Sequence, residues 1–174
     1  MESTYKQVLM YEDKELQAKA LSLIPIQELE ERAENNNNKL PDERDELSRQ
    51  LLYWFKRDFF KWVNEPICQQ CNNKTKAIGR GQPTTEELKW QAYVVEIYQC
   101  TQCNKTIRFP RYNHPGKLLE TREGRCGEWA NCFCLFARAL GFNVRFILDF
   151  TDHVWAELFS NHLNQFVHCD PCER

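Results

Sequence analysis

Apolar residues in the first third of the chain recur at helical spacing. After Asp13, a suitable N-cap, Leu16, Ala20, Leu23 and Ile24 fall on one face, and Pro25 closes the segment. Ile26, Leu29 and Ala33 predict a second short helix. The Asn35 to Asn38 run, Pro41 and the charges from Asp42 to Glu46 offer too little apolar matter to pack, so this stretch predicts a mobile loop and a hinge. From Leu47 to Val63 a broad stripe (Leu51, Phe55, Phe59, Trp62, flanked by Leu52, Trp54, Phe60 and Val63) predicts one helix ended by Pro66, its aromatics mostly core.

The period then changes. Trp90 to Tyr98, with Tyr93, Val94, Val95, Ile97 and Tyr98, and Thr106 to Phe109 predict short strands. Gly124, Cys126 and Gly127 introduce a helix with Ala130, Phe133, Ala137 and Leu140 on one face and Gly141 at its C-cap, so Cys126 falls at a helix N-terminus. Val144, Phe146, Leu148 and Phe150 alternate with polar or outward positions, and His153 to Phe159 and Gln165 to Asp170 predict two more strands. The second half is a helix followed by an antiparallel sheet, and the fold class is α+β.

Length and charge narrow the picture. A chain of 174 residues, 42% hydrophobic, buries one core with room for a small insert. A formal charge of -2 provides no basic field for nucleic acid or anionic membrane. No apolar run approaches a bilayer span, and the N-terminus lacks a signal-like pattern, so the expectation is a soluble cytoplasmic protein without membrane insertion. Nine cysteines, an odd number, fit reduced thiols better than a disulfide framework. The sequons at Asn73 and Asn104 are then chance matches.

Two Cys-x-x-Cys pairs, Cys68/Cys71 and Cys100/Cys103, supply four soft thiolates that close one tetrahedral site. The expectation is one structural Zn2+ with no open position, in a zinc-ribbon-like insert between the strands.

A second constellation uses one thiol. A helix N-terminus and an imidazolium both favour the thiolate, so Cys126 is the candidate nucleophile and His153 its partner. Residues 153, 155 and 157 share a strand face, which groups His153, Trp155 and Glu157. Asp170 is the candidate that fixes the imidazole tautomer. Cys132 and Cys134 fall inside the helix as packing residues, and Cys169 alternates away from Asp170. His114 and His162 are expected in solvent-facing loops, with His168 a cleft wall or a partly buried histidine. Spacing alone leaves the amide substrate open.

Longer strings add to this reading. KLLETREGRCGEWANCF from Lys117 to Phe133, DHVWAE around His153, HCDPCE around Asp170, WFKRDFFKWVNEP, the two knuckles and FPRYN from Phe109 to Asn113 resemble, in the same order, the core of the cytoplasmic peptide:N-glycanase family. The resemblance runs from about Tyr11 to the end. It implies a transglutaminase-like, papain-like cysteine core and an amidase that removes N-linked glycans from misfolded glycoproteins, linked to ER-associated degradation. It further implies that Arg111, Glu128, Trp129, Trp155 and Glu157 line the cleft near the first sugars. The domain reading is 1–66 for the helical part, 67–110 for the zinc-binding insert and 111–174 for the catalytic part.

Animal members of the same family often carry an N-terminal adaptor-binding domain and a C-terminal carbohydrate-binding domain, neither of which is expected in this chain, and family cores usually continue past the DPCE string with strands and a last helix. The expectation is a core truncated at the C-terminus. Its first helix resembles the family's docking surface for a ubiquitin-like proteasome shuttle protein. Two other functions stand beside the amidase: a catalytically incomplete module binding glycans or degradation factors, and a thiol enzyme that crosslinks proteins or cleaves peptides.

Overall fold

The computed structural model describes residues 2–150 and 153–173; Asp152, which opens the DHVWAE string, lies outside them. Four helices come first: α1 (Glu2–Met10), α2 (Lys14–Leu21), α3 (Ile26–Glu34) and α4 (Glu43–Trp54). Asp13 caps α2 as expected, accepting from the Glu15 and Leu16 N–H groups at 2.9 and 3.0 Å.

The charged stretch expected as loop up to Glu46 is instead the first turn of α4, capped by Asp42 through the Asp45 N–H at 2.9 Å. Glu46 is buried. It accepts from Asn36 Nδ2 and Leu40 N, both at 2.9 Å, and from Gln50 Nε2 at 2.6 Å, and it pairs with Arg49. The polar residues before α4 are therefore tied to a buried carboxylate rather than left to solvent.

The helix expected through Val63 also stops early. α4 passes into a π-helical turn at Phe55–Phe59, closed by Phe60 N to Phe55 O at 2.9 Å. Lys61–Trp62 then forms β1, parallel to the short strand β5 (Glu123–Gly124). The extra residue of the wide turn points Phe55, Phe59 and Phe60 all inward, against an aromatic layer on the later helix α7 (Cys126–Ala139). Phe55 lies 5.5 Å from Phe133 and 5.6 Å from Trp129, and Phe59 lies 4.7 Å from Phe136, all near edge-to-face.

The knuckles frame an antiparallel sheet, β2 (Thr75–Gly81), β3 (Val94–Cys100) and β4 (Thr106–Arg111), in that order. α5 (Thr85–Lys89) interrupts it behind a Thr84/Glu87 capping box. α6 (Pro115–Thr121) follows, with His114 at its N-cap accepting from Gly116 N at 3.1 Å. His114 is thus a half-buried cap, not the solvent-facing loop residue expected.

α7 packs on the sheet β6 (Val144–Leu148), β7 (Val154–Ser160), β8 (Gln165–Cys169), antiparallel in that order. Val154, Ala156 and Leu158 of β7 are buried, whereas Trp155, Glu157 and Phe159 on its other face are half-exposed. Cys132, Cys134 and Cys169 are buried as packing residues, and burial pushes the Cys169 thiol up to about 11. β6 ends at Leu148, leaving Phe150 exposed beyond it. Gly141 takes φ +78° after α7, a left-handed conformation suited to its C-cap role. Among the described residues no helix is long and apolar enough to cross a membrane.

Candidate active site

His153 immediately precedes β7 and Asp170 immediately follows β8, so antiparallel pairing of the two strands brings them to one end of the sheet. His153 Nε2 lies 2.6 Å from Asp170 Oδ2. Asp170 is buried and His153 is partly exposed, leaving the other ring nitrogen for a further partner. Asp170 Oδ1 accepts from the Cys172 N–H at 2.9 Å, the Cys172 thiol at 3.0 Å and the Glu173 N–H at 3.2 Å. Burial works to raise the Asp170 carboxyl, but the Cys172 donors, His153 and Glu173 together hold it below the usual range.

Cys126 is the first residue of α7 and is partly exposed. The helix's first intrahelical bond runs from Trp129 N to Arg125 O at 2.9 Å, so the Cys126 N–H belongs to the unpaired first turn. Cys126 sits near enough to Cys172 for its charge to add to the burial and the Asp170 contact that push the Cys172 thiol up.

The start of α7 is fixed by charge. Glu128 reaches back to the Arg125 N–H at 2.9 Å and takes Arg111 Nε and Nη2 at 2.6 and 2.7 Å. Arg111 Nη1 meets Glu96 Oε1 at 3.0 Å, and Arg125 grips both Glu96 oxygens at 2.9 and 2.8 Å. A Cβ at Gly124 would fall 2.4 Å from Glu128 Cβ, so only glycine lets β5 approach this turn. Arg111 and Glu128, expected to face sugars, are thus engaged with each other and with β3. Glu96 and Arg125 complete the network, although sequence reading did not single them out. An acidic residue within the apolar Val95-Glu96-Ile97 run was the available signal.

Trp129 is 3% exposed and packs on Phe55 and Phe60, as a core residue does. Trp155 stacks on His153 with centroids 5.8 Å apart, and its buried Nε1 has no hydrogen-bond partner among the described residues. Glu157 lies beside it, 4.0 Å from Arg145 and opposite His168 in register. His162 is exposed in the turn before β8, as expected, and His168 is exposed 5.5 Å from Trp155. A groove of about 840 Å³ lined by Trp62, Ile67, Phe109 and Glu123 runs beside β1, and Glu123 lies three residues before Cys126 in the chain. Trp62, expected as core, is half-exposed on its rim.

Cys68, Cys71, Cys100 and Cys103 converge, with Sγ atoms 3.3 Å apart for Cys71/Cys100 and 3.6 Å for Cys68/Cys103 and Cys71/Cys103. The residue after each pair, Asn72 and Asn104, turns through the left-handed region at φ 55° and 58°. Backbone N–H groups point at the sulfurs: Cys103 N and Gln102 N lower the Cys100 thiol to about 6. Four convergent sulfurs in a closed cluster fit a metal ion, and this cluster can bind one.

A cysteine on a helix N-terminus, packed on an antiparallel sheet that presents a paired His and Asp, is the arrangement of a thiol-dependent acyl-transfer fold. The model of the transglutaminase-like superfamily matches residues 73–171, more than half of the chain, and the chain belongs to that superfamily. Within it, the chain is 53% identical over 96% of its length to the peptide-N(4)-(N-acetyl-beta-glucosaminyl)asparagine amidase of Arabidopsis thaliana. It is 46% identical over 99% to the Homo sapiens protein of that name, and 45% over 94% to that of Yarrowia lipolytica. It spans 24%, 28% and 48% of those relatives' lengths.

Proposed function

We propose that the chain is the catalytic core of an amidase that releases N-linked glycans from misfolded glycoproteins by cutting the asparagine side-chain amide. The observation that carries this is the 2.6 Å His153–Asp170 pair at one end of the sheet on which α7, begun by Cys126, packs. The names of its relatives supply the substrate class.

In this reading the Cys126 thiolate adds to the amide carbonyl, and the free N–H groups of the first helical turn face the developing oxyanion. His153 passes a proton to the leaving nitrogen, which departs as a glycosylamine and leaves a thioester. Water, deprotonated by His153, then opens the thioester to aspartate and the free thiol. Asp170 holds His153 through Nε2, so the other ring nitrogen serves this chemistry. Trp155, stacked on the imidazole, and Glu157 on the same face are read as contacts of the first sugar.

The four-cysteine cluster is read as one structural zinc site, since four thiolates leave no position for a reacting group. Its reduced thiols fit a cytoplasmic setting and a place in ER-associated degradation. The 1–66, 67–110 and 111–174 division follows these roles, and α2, the helix that Asp13 caps, is the surface offered to a ubiquitin-like shuttle protein.

The test is hydrolysis of a denatured N-glycoprotein in 18O-water, read by mass spectrometry. The amidase leaves aspartate carrying one heavy oxygen at the former glycan site, and cleavage that leaves a sugar on asparagine overturns the reading. Glycan binding without turnover would assign the chain to a binding module.

A further inference from the structure

Asp170 presents its two oxygens to two different tasks. Oδ2 meets His153 Nε2 at 2.6 Å, while Oδ1 is held by three donors within 3.2 Å, two of them from Cys172. The backbone donors form a local turn that any residue at 172 can supply. The thiol is different, because it is a side-chain donor spent on a buried carboxylate. Cys172 is itself only partly exposed. The other titratable groups around this carboxylate are His153, His168 and Glu173, with Cys126 beyond Cys172.

Resting on the amidase reading, we propose that Cys172 is a positioning residue: its thiol locks the Asp170 carboxylate in the rotation that aims Oδ2 at His153. A carboxylate anchored at one oxygen by three donors cannot swing about its Cβ–Cγ bond without breaking them together. The imidazole paired to the other oxygen inherits that fixity, so its second nitrogen keeps one direction. The thiol contact also favours the ionised carboxylate, and an ionised carboxylate is what supports a thiolate–imidazolium pair in this chemistry. A cysteine that looks spare beside the nucleophile thereby acts two residues away from the triad's carboxylate, not as a second nucleophile; the Asp170 contact and burial keep it protonated.

The test is Cys172→Ala against Cys172→Ser in the full chain, because both keep the backbone donors and only serine restores a side-chain donor. The expected result for Cys172→Ala is a fall in kcat of about tenfold, the scale of one lost hydrogen bond to a charged group, with KM within about twofold. Its acid limb should move toward higher pH, and Cys172→Ser should recover most of both. Wild-type kcat and acid limb in Cys172→Ala overturn the proposal. So does an equal loss in both variants with an unmoved pH profile, which marks a packing role.

A second readout separates this proposal from the amidase reading. Peptide-resolved carboxymethylation of Cys126 by iodoacetate, followed against pH, reports thiolate formation without any glycan. Should the wild-type chain turn over no glycoprotein, the amidase reading fails. The Cys172 proposal then stands if the Cys126 alkylation profile of Cys172→Ala moves to higher pH, and falls if it overlays the wild type.

Discussion

Arg111 on β4 and Glu128 in the first turn of α7 exchange two parallel hydrogen bonds, 2.6 and 2.7 Å long, with the Glu128 side chain buried. The same guanidinium takes Glu96 of the neighbouring strand β3, and Glu96 in turn holds Arg125 at the N-cap, so the knuckle sheet is tied to the helix that carries Cys126. Removing Glu128 leaves the guanidinium with Glu96 alone. Glu128→Gln is expected to cost about 3 kcal/mol in urea denaturation, the scale of breaking a buried ion pair. A protein of unchanged stability with a raised glycopeptide KM would instead assign these residues to the substrate.

Acid should loosen this junction in a defined window. Glu96 sits at about 2 because, against the upward push of burial, Arg125, Tyr98 and Arg111 hold its charge. A folded value below the unfolded one stabilises the protein above the ordinary 4.5 and loses that contribution as pH falls toward about 2. Denaturation of wild type and Glu96→Gln at stepped pH checks this: the wild type should lose more stability between those limits, and parallel curves would contradict it.

Removing Phe55 tests the aromatic layer beneath the site. It is fully buried and touches Trp129, Phe133 and Phe136. Phe55→Ala is expected to cost about 3–5 kcal/mol, by cavity and lost contacts, as read from the midpoint of chemical denaturation.

Much of this architecture was legible because period and chemistry agreed. Ala130, Phe133 and Ala137 announced α7, the alternation at Val144 to Leu148 announced β6, and doubled Cys-x-x-Cys spacing announced the cluster. Other features were hidden for physical reasons. The helical period runs without a break into the π turn, so Phe55 to Phe60 reads as more α4. Glu46 reads as solvated charge until the fold buries it among amide donors. The Thr84/Glu87 capping box was written in the sequence and overlooked. Arg111, Glu128, Glu96 and Arg125 come from three separated elements or their borders, and only the tertiary fold turns them into a network. Cys172 carried no periodic signal at all; its contact with Asp170 comes from a turn.

Metal removal should act on the scaffold before the chemistry. β3 carries both Glu96 and Cys100, so a loosened cluster releases the anchor of α7. Metal analysis is expected to find about one zinc per chain, and Cys100→Ser or strong chelation should lower the melting temperature by several degrees with a parallel loss of turnover. Full stability in a verified metal-free sample would contradict the structural role.

The decisive measurement is single-turnover deglycosylation of a denatured N-glycoprotein by wild type, Cys126→Ala and Asp170→Asn, each shown folded by circular dichroism. The wild type is expected to convert asparagine to aspartate, Cys126→Ala to show no conversion, and Asp170→Asn to be slowed by about a thousandfold or more, as when the orienting acid of a triad is neutralised. Undiminished conversion by folded Cys126→Ala would contradict the assignment of Cys126, His153 and Asp170 as the reacting set.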